Sequence, residues 1–334
     1  MVFAALVSGA CSRGASDIPR VDAPFSPTIS AISLQGSCRT ITNSTGPLQL
    51  KQDLVGNDTY CLRFVGGSGQ LDCQGHDVQS LELTDVHGLT VRNCRLRGVS
   101  ASRSSGVTLT DSFIVADTSK TVPGVVRFAD GVDNRIVGNI IDGSWRGQPY
   151  PLGGFPPGAD DGILIENDAN LLIESNVIRN VWDCGIERLG NGTGAVMIRG
   201  NDIANAAECG IGSWFAAGWQ DSVIVGNVVS NSATFAEIYF SATQNRGVDH
   251  LTLRNNIFEN NRFVNPSVRT TTSVRIDFVT GAARMPVDVA NNVFRNNDFG
   301  SFIPAPQLAP AGGFVDGGEN ICRQDGRSTL NCVR

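Results

Sequence analysis

Acidic residues recur at one position in three segments of the chain. The segments read ADDGILIE at 159–166, WDCGIERL at 182–189 and AECGIGSW at 207–214. Carboxyl groups stacked on parallel strands about 4.8 Å apart repel one another, which raises at least one pKa and leaves a protonated acid beside an ionised base. The column that this alignment predicts contains Asp160, Asp183 and Glu208, with Asp161 beside it and Glu187 and Glu237 close to it.

Such a column favours glycoside hydrolysis. Carboxyls on adjacent parallel strands would lie about 5 Å apart, which is the separation in retaining glycosidases. Carboxyls two strands apart would be separated by about 9.5 Å, which is at the upper edge of the range for inverting glycosidases. Asp160 and Glu208 are therefore predicted to act as an inverting pair that Asp183 tunes. The predicted catalytic residues are Asp160, Asp183, Glu208, Asp161, Glu187 and Arg188.

Two other interpretations of the acids stay open. Oxygen ligands from Asp160, Asp161 and Asp183 could converge on Ca²⁺, which would be the one cofactor of a protein that otherwise needs none. Alternatively, Asp and Glu at the corners of coils simply face water.

Aromatic residues concentrate beside the acidic column. Two insertions, 143–158 and 213–221, hold three of the four tryptophans, and aromatic faces on long loops are typical of sugar binding. The structural alternative is that these loops pack on each other. The predicted substrate-binding residues are Trp145, Arg146, Tyr150, Trp182, Trp214, Trp219 and Tyr239.

The elements that must position these residues are identified by a repeated asparagine. Six segments share the order apolar, two residues, Asn, one residue, apolar, at periods near 25 residues, and Cys94 and Ser112 replace the Asn upstream. The apolar spacing is that of strands, which predicts an all-β fold, a single-stranded right-handed parallel β-helix solenoid whose Asn residues form a structural ladder. The repeated residues are Asn139, Asn176, Asn201, Asn227, Asn256 and Asn292; five are followed four residues later by Asn180, Asn205, Asn231, Asn260 and Asn296.

The ends of the chain predict export. Residues 1–11 resemble the end of a bacterial lipoprotein signal with Cys11 as the lipidated residue, 12–34 a tether, 35–300 the β-helix and 301–334 a C-terminal cap. The expected location is the outer membrane, the periplasm or the cell exterior. The net charge of −6 argues against a nucleic acid partner, so the expected partner is a polysaccharide or oligosaccharide, with membrane contact only through the lipid anchor. The oligomeric state is not given by the sequence.

The eight remaining cysteines predict disulfides. Cys184 and Cys209 occupy the same phase of adjacent coils, within disulfide range. The predicted pairs are Cys38–Cys61, Cys73–Cys94, Cys184–Cys209 and Cys322–Cys332; a thiolate metal site is the alternative, although no CxxC occurs.

Residues 38–78 end in the turn DCQGHDV at Asp72–Val78, a D-x-x-G-H-x-V pattern. With the asparagine coils, this segment resembles the right-handed parallel β-helix (pectate-lyase-like) superfamily from residue 35 to about 300. The resemblance implies an acidic polysaccharide as substrate, and His76 in a structural turn. Of the polygalacturonase motifs only the Asp160–Asp161 pair is present, and the epimerase D-P-H-D motif is absent.

Three functions therefore remain as expectations. Hydrolysis of an acidic polysaccharide by the stacked carboxylates leads. A polysaccharide lyase or uronate epimerase with Arg188 as base and Ca²⁺ held by the acids is the second, and a non-catalytic glycan-binding or structural surface protein is the third.

Overall fold

The computed structural model describes residues 32–34, 36–56, 60–119, 121–147, 157–190, 194–213, 219–232, 237–238, 248–261, 287–301, 314–319, 321–324 and 327–329. Residues from 31 to 334 form one compact unit. Residues 1–30, which include the predicted lipidation site at Cys11, lie outside the described part.

The strands of this unit form three long parallel sheets, named A, B and C here. Sheet A contains, in spatial order, Ile32–Leu34, Pro47–Leu50, Gly69–Asp72, Leu89–Arg92, Thr108–Thr110, Arg135–Val137, Leu171–Glu174, Val196–Arg199, Val223–Val225, Leu251–Arg254 and Val287–Ala290. Sheet B contains Arg39–Thr42, Leu62–Val65, Leu81–Thr84, Val99–Ser102, Thr121–Ala129, Gly158–Glu166, Cys184–Leu189, Cys209–Ser213 and Glu237–Ile238. Sheet C contains Asp77–Val78, Arg95–Leu96, Phe113–Val115, Ile140–Asp142, Val177–Val181, Asp202–Ala206, Val228–Ser230, Ile257–Glu259, Asn292–Arg295 and Phe314–Asp316.

Two smaller groups of strands complete the described part. Trp219–Gln220 pairs with Val248–Asp249, and Asp298–Ser301, Ile321–Gln324 and Arg327–Thr329 form a three-stranded group. Strand Ile32–Leu34 lies inside the segment predicted as a tether, so β-structure begins before residue 35. No helix in the described part is long and apolar enough to cross a membrane.

From Gly69–Asp72 to Glu237–Ile238, the strands of the three long sheets follow the order A, C, B along the chain, so each circuit makes one coil, and each of these strands pairs with its counterpart on a neighbouring coil. Alternating buried positions, as in Leu171–Glu174, put every second side chain into a continuous aliphatic core. The predicted all-β parallel β-helix is confirmed.

A hydrogen-bonded asparagine ladder lines the corner between sheets A and C. Asn201 is buried, and its Nδ2 donates to Asn227 Oδ1 at 2.9 Å and to the Ile173 carbonyl at 3.0 Å. Its Oδ1 accepts from the backbone N–H and the Nδ2 of Asn176, both at 3.0 Å. Upstream, Ser112 Oγ accepts from the Cys94 backbone N–H, which continues the ladder with the predicted replacements.

The left-handed backbone lies beside the ladder rather than within it. The residue before each ladder Asn has positive φ, as at Ser175 and Gly200, while the second Asn of each unit, such as Asn180 and Asn205, is itself left-handed. The two asparagine series thus have different functions. The first satisfies buried backbone groups and the second makes the bend.

Three of the four predicted disulfides are present: Cys38–Cys61, Cys73–Cys94 and Cys184–Cys209. Each joins neighbouring coils, with Cα–Cα distances of 4.3, 4.8 and 4.4 Å. The disulfides suggest export to an oxidising compartment. The predicted Cys322–Cys332 pair lies outside the described side chains.

Candidate functional site

Glycines turn the acidic residues toward the outer face of sheet B. A Cβ added to Gly185 would lie 2.3 Å from Ile203 Cγ2, so Gly185 faces the core, as does the adjacent Ile186. Two consecutive inward residues reverse the alternation of the strand. Cys184 before them and Glu187 after them therefore share the outer face.

The three acids of the predicted column occupy one register position on successive coils. The Asp183 N–H donates to the Asp160 carbonyl at 2.8 Å, and the Glu208 N–H donates to the Asp183 carbonyl at 3.1 Å. The side chains of Asp160, Asp183 and Glu208 are half-buried. We call these three residues the carboxyl row.

A second pair of acids lies buried against this row. Asp161 is 1% exposed and Glu187 is 5% exposed, and Asp161 Oδ1 accepts the Cys184 N–H at 3.1 Å. A hydrogen bond joins the carboxyls of Asp161 and Glu187. The cluster thus contains an accessible row of three acids and a buried pair.

In each hydrogen-bonded pair, the pKa of the aspartate is raised above its ordinary value. Burial and then the charge of Glu187 raise the pKa of Asp161 well above its usual range, while burial raises the pKa of Glu187 to about 7. Burial and then the charge of Glu208 raise the pKa of Asp183 well above its usual range. Burial raises the pKa of Glu208, and the hydrogen bond from Asp183 offsets part of that rise.

Asp160 is the third member of the row, and none of the described residues forms a hydrogen bond with its buried Oδ1. Burial, followed by the charge of Glu208, raises the pKa of Asp160 to about 7. Asp183 lies between these two residues, and burial raises its pKa as well. The row can therefore offer a protonated acid and an ionised base near neutral pH.

No cation balances this cluster within the part of the chain that the structure describes. None of the five carboxyls forms an ion pair there. The charged side chains that shift their pKa values are all acidic. Carboxylate oxygens of Asp161 and Asp183 lie within 4.8 Å of each other, a separation that one Ca²⁺ could bridge. Cys184, which lies equally near, is already in a disulfide. Calcium binding stays a prediction.

Arg188 lies inside the coil, away from the carboxyl row. Its side chain is fully buried, stacks over Trp219 at 5.6 Å and donates from Nη2 to the Gly194 carbonyl at 2.7 Å. Burial lowers its pKa to about 10, partly offset by the charge of buried Asp168. Because Glu187 faces outward, the next residue faces the core. The role of Arg188 as a base stays a prediction.

The described tryptophans are buried rather than displayed as sugar platforms. Trp145 and Trp182 are 4% and 7% exposed and form a small apolar cluster with Ala207. Trp219 is fully buried in the main core, where its Nε1 donates to Ser213 Oγ at 2.8 Å. The three side chains are therefore packed against apolar neighbours, and their role in sugar binding stays a prediction.

The remaining predicted site residues divide into two groups. Arg146 is exposed, and its Nη1 lies 3.7 Å from Asp142 Oδ1, so it forms an ion pair at the edge of the insertion. Glu237 is in register with Gly212 on the previous coil and with Glu187 two coils earlier, rather than with the row. Predicted sugar-binding residues outside the described part are Tyr150, Trp214 and Tyr239.

A groove of about 680 Å³ lies over sheet B on the coils before the row. Leu164 and Glu166, which line it, belong to the same strand as Asp160 and Asp161. A second groove of about 530 Å³ shares the lining residues Gln79, Arg97 and Asp117. The two grooves therefore meet at one corner of the coil.

Arg97 at this corner differs from its neighbours. Arg63, Arg95 and Arg127 form ion pairs with Glu82, Asp77 and Glu166. Within the described residues, no acid lies within ion-pair distance of the exposed Arg97. The buried Gln79 Oε1 in the same lining has no partner.

Sequence reasoning missed Arg97 and Asp168. Neither belongs to the repeated acidic segments, and the only sequence signal for Arg97 would have been an arginine without an acid at the matching position of the next coil.

Comparison with known proteins concerns the fold. The model of the right handed beta helix region matches residues 71–305, and no curated protein matches the sequence. Similar structures include PfbA, a surface adhesin of Streptococcus pneumoniae (12% identity, TM-score 0.45, covering 86% of this chain and 79% of that chain). Others are the Dettilon tailspike protein (12%, 0.50, 87% and 62%) and a mutant of the periplasmic alginate epimerase AlgG (12%, 0.39, 76% and 61%). Because the family model covers more than half of the chain, this protein belongs to the right-handed β-helix family.

Proposed function

We propose that this protein hydrolyses glycosidic bonds in an acidic polysaccharide. The observation that carries the proposal is the row of Asp160, Asp183 and Glu208 on successive coils, half-buried on the sheet that also forms the 680 Å³ groove. Paired carboxyls of different protonation state are what glycoside hydrolysis requires.

The roles follow from the proton positions. Protonated Asp160 would donate to the glycosidic oxygen of the leaving group. Ionised Glu208 would take a proton from the water that attacks the anomeric carbon, and Asp183 would hold Glu208 by its hydrogen bond. Asp160 and Glu208 are two coils apart, about 9.5 Å along the sheet, which leaves room for that water and favours inversion.

Arg97 supports an acidic substrate. An exposed guanidinium without an acidic partner, at the junction of two grooves, offers a bidentate site for a sugar carboxylate. Arg97→Gln is expected to raise KM for a charged glycan several-fold and to leave kcat nearly unchanged.

The test is a panel of charged and neutral glycans assayed for new reducing ends and for the ultraviolet absorbance of unsaturated uronates. Asp160→Asn and Glu208→Gln are each expected to lower kcat by about 100-fold or more, since positioned acids and bases contribute 10²–10⁴. Asp202→Asn, an exposed carboxyl on the same coil as Glu208, is the matched control. Turnover should fall as pH rises above the Asp160 pKa of about 7.

Two outcomes would favour the other functions. Unsaturated products would indicate a lyase, whose predicted base Arg188 is fully buried. Binding that survives both substitutions, with no cleavage of any glycan, would indicate a glycan-binding protein.

A further inference from the structure

Sheet C carries a row of partly exposed apolar side chains on its outer face. The row joins register partners on six successive coils and has one charged member: Ile140, Val177, Asp202, Val228, Ile257 and Val293. We call these residues the outer row. Phe113 and Val315 extend it by one coil at each end. Ile140 is 41% exposed and Val315 is 42% exposed, while the other apolar members are half-buried.

The outer face of sheet A differs on the same six coils. Its corresponding register positions are occupied by Arg135, Leu172, Met197, Val223, Thr252 and Asp288. Half of these side chains are polar or charged, as is usual for a face that meets water. A longer apolar strip, such as the one on sheet C, is typical of a surface that a partner covers.

A second row on the outer face of sheet C carries charges in a particular order. It lies two residues further along the same strands and contains Asp142, Arg179, Ala204, Ser230, Glu259 and Arg295. We call these residues the charged row. Arg179 Nε lies 3.4 Å from Asp142 Oδ2, and Arg295 pairs with Glu259. The order is negative, positive, two uncharged, negative, positive, so the row is complementary in charge to its own reverse.

Two copies can bring sheet C face to face about a two-fold axis that lies in the interface. An axis along the coils would place Asp202 opposite Asp202 of the second copy, where like charges repel. An axis along the strands reverses the coils instead. When it passes between the coils of Asp202 and Val228, it puts Asp202 opposite Val228 of the second copy and Ile140 opposite Val293.

This axis along the strands also pairs the charges. Because both rows share one register, Arg179 lies opposite Glu259 of the second copy, and Asp142 lies opposite Arg295. The ion pairs within each chain then join those of the other chain into two rings of four alternating charges. Such complementarity selects the orientation of a partner more than it adds affinity.

We propose that two copies of this chain form a dimer by packing sheet C against sheet C with their coils antiparallel. The outer row with its two extensions spans eight coils, about 34 Å at the usual strand spacing. A patch of that length and about 15 Å in width buries about 500 Å² on each copy. The total of about 1,000 Å² is the lower limit for a specific interface, so we expect a dissociation constant in the micromolar range.

Sedimentation velocity of the full chain, from about 1 μM to about 500 μM, should show a monomer converting to a dimer. Ile140→Lys should raise the dissociation constant about tenfold or more, because the charge would face apolar Val293 of the second copy. Met197→Lys is the matched control, since Met197 is 37% exposed on the outer face of sheet A, and it should leave the constant unchanged. A monomer at every concentration, or equal effects of these two substitutions, would overturn the proposal.

Val293→Lys supplies a second variant for the case in which Ile140→Lys does not fold. Val293 is the residue that Ile140 faces across the two-fold axis, so its substitution should weaken the dimer to a similar extent. Thermal unfolding shows which variants are folded. A folded Val293→Lys that dimerises like wild type would contradict the proposed axis.

Charge reversal tests the antiparallel orientation. Arg179→Glu and Glu259→Arg should each weaken the dimer several-fold, and the two together should restore much of the affinity. In one chain these residues lie three coils apart, about 14 Å, so they can compensate for each other only between copies. A double variant that associates no better than the single variants would rule out this orientation.

Discussion

Replacing Asp160 with Asn should stabilise the protein at alkaline pH. The carboxyl has a pKa of about 7 in the folded chain, and an unfolded Asp titrates near about 3.9. A group whose pKa is raised by folding contributes stability to the folded state. That stability is fully present below the pKa of the unfolded state and is lost as the pH rises through the pKa of the folded state. Wild-type stability should therefore fall between pH 4 and about 7 and level off above pH 8.

The magnitude follows from the two pKa values. A difference of about three pH units, at about 1.4 kcal/mol each, gives about 4 kcal/mol at pH 8. Side-chain relaxation and water reduce this for a half-buried group, so we expect a gain of about 2 to 4 kcal/mol for Asp160→Asn at pH 8, less at pH 5 and little at pH 4. The substitution also relieves Asp183 and Glu187, whose pKa values the Asp160 charge raises.

Urea unfolding at pH 4, 5, 6, 7 and 8, followed by tryptophan fluorescence, measures this gain. Trp182 adjoins Asp183 and packs with Trp145, so the signal reports on the coils that carry the row. Asp202→Asn serves as the exposed control. Two outcomes would refute burial and the charge of Glu208 as the cause of the raised pKa. One is a difference in unfolding free energy between Asp160→Asn and wild type that stays constant from pH 4 to pH 8, and the other is a variant that is less stable than wild type at pH 8.

Two further predictions concern the scaffold. Asn201→Ala should lower the unfolding free energy by about 3 to 5 kcal/mol, because it leaves buried hydrogen-bonding groups of Asn176, Asn227 and Ile173 unpaired. Asn201→Ser should have a smaller effect, because Ser112 occupies the same position of the ladder upstream. Urea midpoints measure both effects. Gly185→Ala should lower stability by about 1 to 3 kcal/mol, because its Cβ would lie 2.3 Å from Ile203 Cγ2. Gly46→Ala is the control and should be nearly neutral, because open space surrounds Gly46. Thermal unfolding compares the two, and equal melting temperatures would contradict the orientation of Gly185.

The sequence predicts the fold well because its signal repeats. Each coil needs apolar residues that face the core, a bend, and a side chain that forms hydrogen bonds with the buried backbone N–H and C=O groups at the corner. These needs recur with Asn139, Asn176 and Asn201, so one interpretation is tested many times along the chain. Alignment of the coils on this repeat also predicts that Cys184 lies next to Cys209 and Asp160 next to Asp183 on neighbouring coils, as the structure shows.

Burial of aromatic residues was less predictable because the insertions lack the repeat. Composition suggested sugar platforms, but Trp145 and Trp182 shield apolar surface instead. The strand of Trp219 pairs with Val248–Asp249, 29 residues away, which is the separation of Asn227 and Asn256 in the repeat, but the repeat does not indicate that the Trp219 side chain is buried.

The orientation of Glu187 and Arg188 shows the limit of register as a predictor. Register specifies which residues are neighbours across coils, but strict alternation would place Glu187 opposite Cys184. Gly185 changes this because it lacks a Cβ, so Gly185 and Ile186 can both face the core without overfilling it. Glu187 thereby joins Asp161 and Cys184 outside, and Arg188 is placed against Trp219 inside. Glycine followed by isoleucine at the same position of three successive coils is thus the sequence feature that decides which charged side chains can meet a substrate.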